Sequence, residues 1–459
     1  MRRIRHATVA AVVALVLFLG LAGDAAAQRS ASREHWIATW GTALQLVRLP
    51  GGRGGPPPPA SPAATPGTTA PPAAPPAAPP PGTPARRFAA PVEIANITGQ
   101  TVRMIVRASV GGQRVRIRIS NAFGATSLAI GAAHIALRRD GSSIVPETDR
   151  TLTFGGKPTA LVYAGQTLTS DGVSLVVPPL ADMAITFHIP GDAGAPTAHR
   201  FGLRPTYLST PGNFAAAPTI DTVAMTTESY YWLAGVDVAA PAEAGTLVTF
   251  GDSITDGDQS TPDTSRMWPA VLAARLQANA STKHIGVVNA GISGNRLLGD
   301  NNGGVVRYLH HALAVPGVRW ITILEGINDI SIATRRNPSS AGTGATPAAA
   351  EFSADDLIRA YRQMIDMAHQ RGIKVIGCTM TPFGGSSAFT EPGEAIRSAV
   401  NEWIRTSGAF DAVVDFDEVT RDRIDPRRFR AEADSPDLLH PGDGGYRLMA
   451  NAFNLAMFR

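Results

Sequence analysis

Two hydrophobic rhythms divide this chain of 459 residues and predict its fold class: a jelly-roll-like β-sandwich followed by an α/β unit on a parallel sheet. From residue 101 to about 238, short apolar and β-branched runs alternate with turn signals at Asp140-Gly141, Asp171-Gly172 and Pro190-Gly191, the pattern of an all-β domain. From Ala244 onward, strand-like runs alternate with helical ones for about 215 residues, which argues for parallel strands covered by helices on both faces. A hydrophobic content of 44% with 17% charged residues supplies apolar surface for two cores. The organisation expected is a signal segment at 1–27, a β-sandwich at 33–238 and an α/β unit at 244–459.

At the N-terminus, Arg2, Arg3 and Arg5 precede an apolar run at 7–22 and the small residues Ala25-Ala26-Ala27. That order reads as a cleavable export signal, and it predicts a secreted or periplasmic protein. No later stretch is apolar enough to span a bilayer. The formal charge of +4 falls to about +2 once three arginines and Asp24 leave with the signal, too little to argue for a nucleic-acid partner. Cys378 is the sole cysteine, so no intramolecular disulfide is possible, and its place in an apolar run suits a small buried hydrophobe.

A strand is expected at 36–40. Residues 50–84 then turn to Pro, Ala, Gly and Thr, a composition that cannot bury enough apolar surface to fold and reads as an insertion in a surface loop of the sandwich. The runs 101–110 and 113–120 flank Gly111-Gly112 and predict a two-residue hairpin. In that register Arg107 faces Arg116, and Arg103, Arg107, Arg114, Arg116 and Arg118 share one face, solvated or paired with the protein's own carboxylates. A more specific reading makes that face an anion-binding patch. Further strands are expected at 128–137, 161–163, 174–177 and 183–189. In the α/β half, strands are expected near 246–250, 285–289, 320–324, 373–378 and 413–416. Helices are expected at 267–280, where Pro269 suits a first turn, at 354–371 behind Ser353, at 395–407, and at the C-terminus.

The chemistry concentrates in four separated runs. Phe250-Gly251-Asp252-Ser253-Ile254-Thr255-Asp256-Gly257 follows the first α/β strand, and a serine at the C-terminal end of a parallel strand stands where open α/β sheets place ligands. Asn289-Ala290-Gly291-Ile292-Ser293-Gly294-Asn295 follows the second strand, and Glu325-Gly326-Ile327-Asn328-Asp329 the third. Asp437-Leu438-Leu439-His440-Pro441 stands before the final helix. Serine is a weak nucleophile that needs a base, and Asp437, three residues before His440, is close enough to orient its imidazole. The backbone N–H groups of Ser253 and Gly294 and the side-chain amide of Asn328 are candidate donors to an oxyanion. Asp252 and Asp329 are expected to brace loops. There is no P-loop, no G-x-G-x-x-G after a strand, no zinc-spaced His/Cys set, and no G-x-S-x-G elbow.

Together these runs, in this order, resemble the GDSL esterases, also called SGNH hydrolases. The resemblance covers roughly the last half of the chain, and secreted members of that family sometimes carry a β-rich domain ahead of the catalytic one. It implies an SGNH-type three-layer α/β/α unit and a serine ester hydrolase needing no metal or organic cofactor. It further implies Ser253 as nucleophile, His440 as base and Asp437 as its orienter, with Ser253, Gly294 and Asn328 forming the oxyanion hole. An acetylated polysaccharide or another small acyl ester is the expected substrate, and a lipid or lysophospholipid the alternative. Acyl transfer at the same site and a binding protein with a vestigial catalytic half are the other readings.

Overall fold

The strand-rich half is built on two large antiparallel sheets, with two-stranded pairs Leu128–Ile130/Ala160–Val162 and Ala198–His199/Tyr230–Tyr231 beside them, seen in a computed structural model that describes residues 34–45, 96–299, 302–335 and 352–458. The expected signal segment and the insertion at 50–84 lie outside the described residues. One sheet runs in the order Trp36–Gly41, Leu233–Ala239, Gly112–Ser120 and Thr167–Thr169, with Val173–Val177 also pairing with Gly112–Ser120. The other is Val223–Thr227, Thr206–Pro211, Gln100–Arg107, Asp182–Ile189, Ala132–Leu137 and Arg150–Thr151. Val102, Met104 and Val106 of the second sheet meet Val115, Ile117 and Ile119 of the first in one buried cluster. Their period-2 spacing points each set to the inner face of its sheet.

The hairpin expected at Gly111-Gly112 is therefore not formed. Gln100–Arg107 and Gly112–Ser120 lie in different sheets, joined by a segment in which Ser109 N–H donates to Thr39 O (2.9 Å) and Val110 N–H to Thr39 Oγ1 (3.1 Å). Neither glycine has the positive φ that a tight hairpin turn of this kind demands. The apolar inner faces decide the matter, because both can be buried only if the strands oppose one another across a core.

The shared arginine face dissolves with the hairpin. Arg103 is fully buried and donates to Thr186 Oγ1 (2.9 Å), Ser142 O (2.6 Å) and Ala217 O (2.7 Å). Arg107 pairs with Asp182 (3.3 Å), Arg114 with Glu34, and Arg116 and Arg118 both with Asp237 (3.1 and 3.0 Å). All five are used by the protein's own acceptors. The run expected as one strand at 128–137 is two, Leu128–Ile130 and Ala132–Leu137, in separate sheets.

The second half holds five parallel strands in the order Ile285–Gly291, Gly245–Gly251, Val318–Leu324, Lys374–Cys378 and Ala412–Val414. Their near-continuous burial matches sequences without polar alternation. Helix Trp268–Gln277 packs with Asp443–Asn451, and Ala354–His369 with Glu391–Thr406. The right-handed sense general to such crossovers puts these pairs on opposite faces of the sheet. The last strand is shorter than expected, since a helix, Phe416–Thr420, begins where the run had been read as strand. Helix Glu391–Thr406 begins earlier than its apolar stripe, because Thr390 Oγ1 caps the N–H of Gly393 (3.0 Å).

The halves share a seam. Ala38 N–H of the first sandwich strand reaches Pro316 O (3.1 Å), and Ser109 Oγ accepts from Val287 N–H (2.7 Å) on the edge strand of the parallel sheet. Ala38 and Ala43 belong to the core of the α/β unit. An edge strand left open is a template for aggregation, and here the sandwich covers it.

Candidate active site

Chain order reverses across the sheet between Gly245–Gly251 and Val318–Leu324, so the loops leaving these strands part and open a crevice at their C-terminal ends. Ser253 enters this crevice as the first residue of a one-turn helix, Ser253–Asp256. Asp252 caps it by accepting from Ile254 N–H (2.9 Å), and Gly257 closes it in a left-handed conformation.

The structure brings the three separated residues together. Ser253 Oγ lies 2.8 Å from His440 Nε2, and His440 Nδ1 lies 2.7 Å from Asp437 Oδ2. Because the carboxylate accepts, Nδ1 carries the proton and Nε2 is left to accept from the serine hydroxyl. Asp437 Oδ1 accepts from the backbone N–H groups of His440 (2.9 Å) and Leu439 (3.0 Å) and from Ser435 Oγ (3.0 Å). Half-burial works against its charge, but the imidazole hydrogen bond and these N–H donors prevail and hold the carboxyl well below the usual range. The turn between Asp437 and His440 is strained: Leu438 has φ +57°, a conformation rare for a branched side chain. A chain of hydroxyl, imidazole and carboxylate in this geometry can remove a proton from serine as it attacks a carbonyl.

The candidate donors stand at the ends of three neighbouring strands. Gly294 adopts φ +78° with open space where a Cβ would point, so conformation rather than crowding requires glycine there. The side chain of Asn328 is anchored by donating to Asn295 O (2.8 Å), which fixes its amide plane and leaves its second N–H to the site. Asp329 accepts from Leu297 N–H (2.7 Å) and Leu298 N–H (2.8 Å), tying the third loop to the second. Burial pushes its carboxyl up to about 6 against these donors. Asp252 is pushed up to about 7, again mainly by burial. Among the described residues no group of three or more His, Cys, Asp or Glu is placed to hold a metal ion.

Three features escape a reading of the sequence. Arg307 is buried beneath the serine and donates to Gly251 O (2.8 Å), Ala290 O (2.8 Å), Asn295 Oδ1 (2.7 Å) and Glu325 Oε1 (3.1 Å). Its guanidinium also stacks 3.8 Å from the Phe250 ring centroid, so one side chain ties together the loops of all three strands. Burial lowers Arg307 to about 10, and burial reinforced by the Asp252 charge raises Glu325 well above the carboxylate range. Asp258 Oδ2 stands 4.0 Å from His440 Nε2. Asp256, at the end of the helix that Ser253 begins, is gripped by His199 of the sandwich (2.9 Å). No local pattern flags these partners, since they are distant in sequence. The loop beginning at Thr381 packs behind the histidine turn, with Leu438 Cδ1 3.2 Å from where a Cβ on Gly385 would sit.

This sheet and crevice define a hydrolase acting on ester bonds. Residues 249–448 match the model of the GDSL-like Lipase/Acylhydrolase family. Among solved structures it is similar to a member of the lipolytic protein G-D-S-L family from Veillonella parvula, with 21% identity over 46% of this chain and 96% of that one, and a TM-score of 0.32. It is also similar to a catalytic mutant of an acetylxylan esterase from Geobacillus stearothermophilus, with 21% identity over 47% and 94% of the two chains and a TM-score of 0.34. No curated protein matches the chain.

Proposed function

We propose that this protein is a secreted serine ester hydrolase that removes small acyl groups from hydroxyl-rich alcohols, such as acylated carbohydrate. The observation that carries the mechanism is the unbroken contact from Ser253 through His440 to Asp437, made by segments 187 residues apart. Ser253 Oγ attacks the ester carbonyl carbon while its proton passes to His440 Nε2. The oxyanion forms against the N–H groups of Ser253 and Gly294 and the amide of Asn328. As the C–O bond breaks, His440 returns the proton to the leaving alcohol, and water then repeats the sequence on the acyl-enzyme. Asp437 stays ionised throughout and balances the imidazolium.

The preference for an uncharged leaving group rests on Asp258, whose carboxylate stands 4.0 Å from the imidazole nitrogen that faces the serine. A negative charge beside the imidazole disfavours a phosphate headgroup at the site. Export rests on residues 1–27 alone and predicts that protein recovered outside the cytoplasm begins near Gln28.

The test is turnover of p-nitrophenyl esters of increasing chain length by the mature protein and by Ser253→Ala. The variant is expected to lose turnover by roughly 10³-fold or more with its fold intact, and activity in the wild type to fall as the acyl chain lengthens. Equal turnover by the two proteins would remove Ser253 as nucleophile. A rise in activity with long chains would turn the substrate reading toward lipids.

A further inference from the structure

We propose that His199, a residue of the β-sandwich, is a positioning residue for hydrolysis, holding the nucleophile turn and the oxyanion loop in register through Asp256. This rests on Ser253 being the nucleophile. The geometry runs in one line across the seam between the two halves. His199 lies in the two-residue strand Ala198–His199, paired with Tyr230–Tyr231, and its ring stacks on Tyr230 with centroids 6.3 Å apart. Its two nitrogens both face acceptors: Nδ1 is 2.9 Å from Ala43 O, and Nε2 is 2.9 Å from Asp256 Oδ1. Two acceptors call for two N–H donors, so the ring sits there as imidazolium with the Asp256 carboxylate as its counter-charge. Burial opposes that charge, and the carboxylate outweighs it, raising the histidine above its ordinary value. Arg107, Arg204 and the Tyr230 hydroxyl line the same cavity of about 90 Å³ between the halves.

Asp256 passes the constraint on in two directions. It ends the helix Ser253–Asp256 that begins with the nucleophile. Its second oxygen, Oδ2, accepts from Ser293 N–H (2.9 Å) and Ser293 Oγ (3.0 Å), one residue before the Gly294 donor. A single carboxylate therefore couples the position of the attacking oxygen to that of the oxyanion hole, and a histidine from the other half of the molecule fixes that carboxylate. Unpaired, a buried Asp256 would rotate toward water, and that change loosens the Ser293 contact. On this reading the sandwich is a structural member of the active site and not only an appended domain.

Two substitutions separate the contacts. In His199→Gln the side-chain amide nitrogen falls near the place of Nε2 and keeps the bond to Asp256. In His199→Asn it falls near Nδ1 and keeps only the bond to Ala43. Phosphonylation of the serine by a fluorophosphonate, in which an O–P bond forms and fluoride leaves, reads the site without the natural substrate, and kcat and KM on p-nitrophenyl acetate complete the comparison. The expected result is a fall in labelling rate and kcat of roughly ten- to a hundredfold in His199→Asn. KM should change little and His199→Gln should lie closer to wild type, while the two variants melt at similar temperatures. Equal labelling of His199→Asn and wild type, or losses in the two variants that simply follow their melting temperatures, would overturn the inference while leaving the esterase intact. Absence of labelling in wild-type protein would overturn the nucleophile assignment, and the inference with it.

Discussion

At the scale of single residues, the carboxylates around the serine are sorted by what surrounds them. Asp437 accepts three N–H or O–H donors besides the imidazole and stays ionised. Asp329 accepts two N–H donors, yet burial dominates and lifts it to about 6 from an ordinary 3.8. The consequences for stability have opposite signs. A depressed carboxyl stabilises the fold above its unfolded value and loses that contribution as pH falls through the folded one. A raised carboxyl stabilises relatively below its unfolded value, and that contribution is lost as pH rises through the folded one. Asp329 therefore makes stability decline between about pH 4 and 6. In Asp329→Asn that segment of the pH–stability curve is expected to flatten, measured by urea unfolding at half-unit steps, at the expense of one loop hydrogen bond. An unchanged slope would assign it to another group.

Among the elements, the turn from Asp437 to His440 is the most constrained. Leu438 at φ +57° carries a conformational cost of about 1–3 kcal/mol, and the neighbouring loop at Gly385 packs against it. Leu438→Val, β-branched in a left-handed position, is expected to lower stability by about 1–3 kcal/mol and to lower kcat by displacing His440. Leu438→Gly removes the strain and should retain the fold while allowing the turn more freedom, so kcat falls and the melting temperature does not. Thermal melts beside steady-state kinetics check both. If the valine variant matched wild type in each, the strain would not be coupled to the site. Beneath the turn that carries Ser253, Arg307 performs the opposite service, binding three loops to one rigid, fully buried guanidinium.

At the scale of the whole molecule, the sandwich and the parallel sheet meet in a close-fitting seam. Gly286 on the sheet's edge strand leaves no room for a side chain, because a Cβ there would stand 2.2 Å from Ala38 O of the sandwich. Gly286→Ala must therefore push the halves apart, at a cost of about 1–3 kcal/mol. Since Ala38 and Ala43 lie in the core of the α/β unit, the loss is expected as a downward shift of one shared unfolding transition, followed by circular dichroism and tryptophan fluorescence together. Two separated transitions in the wild type would show that the halves fold independently.

Local patterns in the sequence marked the five strands and the longer helices of the α/β half, though not the helices Ile327–Arg335 and Phe416–Thr420. The marked elements announce themselves by periodicity, and the serine, glycine, asparagine and aspartate–histidine runs sit in short motifs whose order resembles one family. Asp437 and His440 are three residues apart, so their contact is written into local spacing. The sandwich was legible as strand-rich but not in its pairing: an alternation of apolar residues tells which face of a strand is buried, not against which sheet. The arginines of 103–118 illustrate the limit, for their partners Asp182, Glu34 and Asp237 come from other strands. Likewise the meeting of Ser253 with His440, the bracing by Arg307 and the bond from His199 to Asp256 are products of tertiary folding. Each joins residues whose separation along the chain carries no periodic signal, and only the burial of two cores against a common seam brings them within hydrogen-bonding distance.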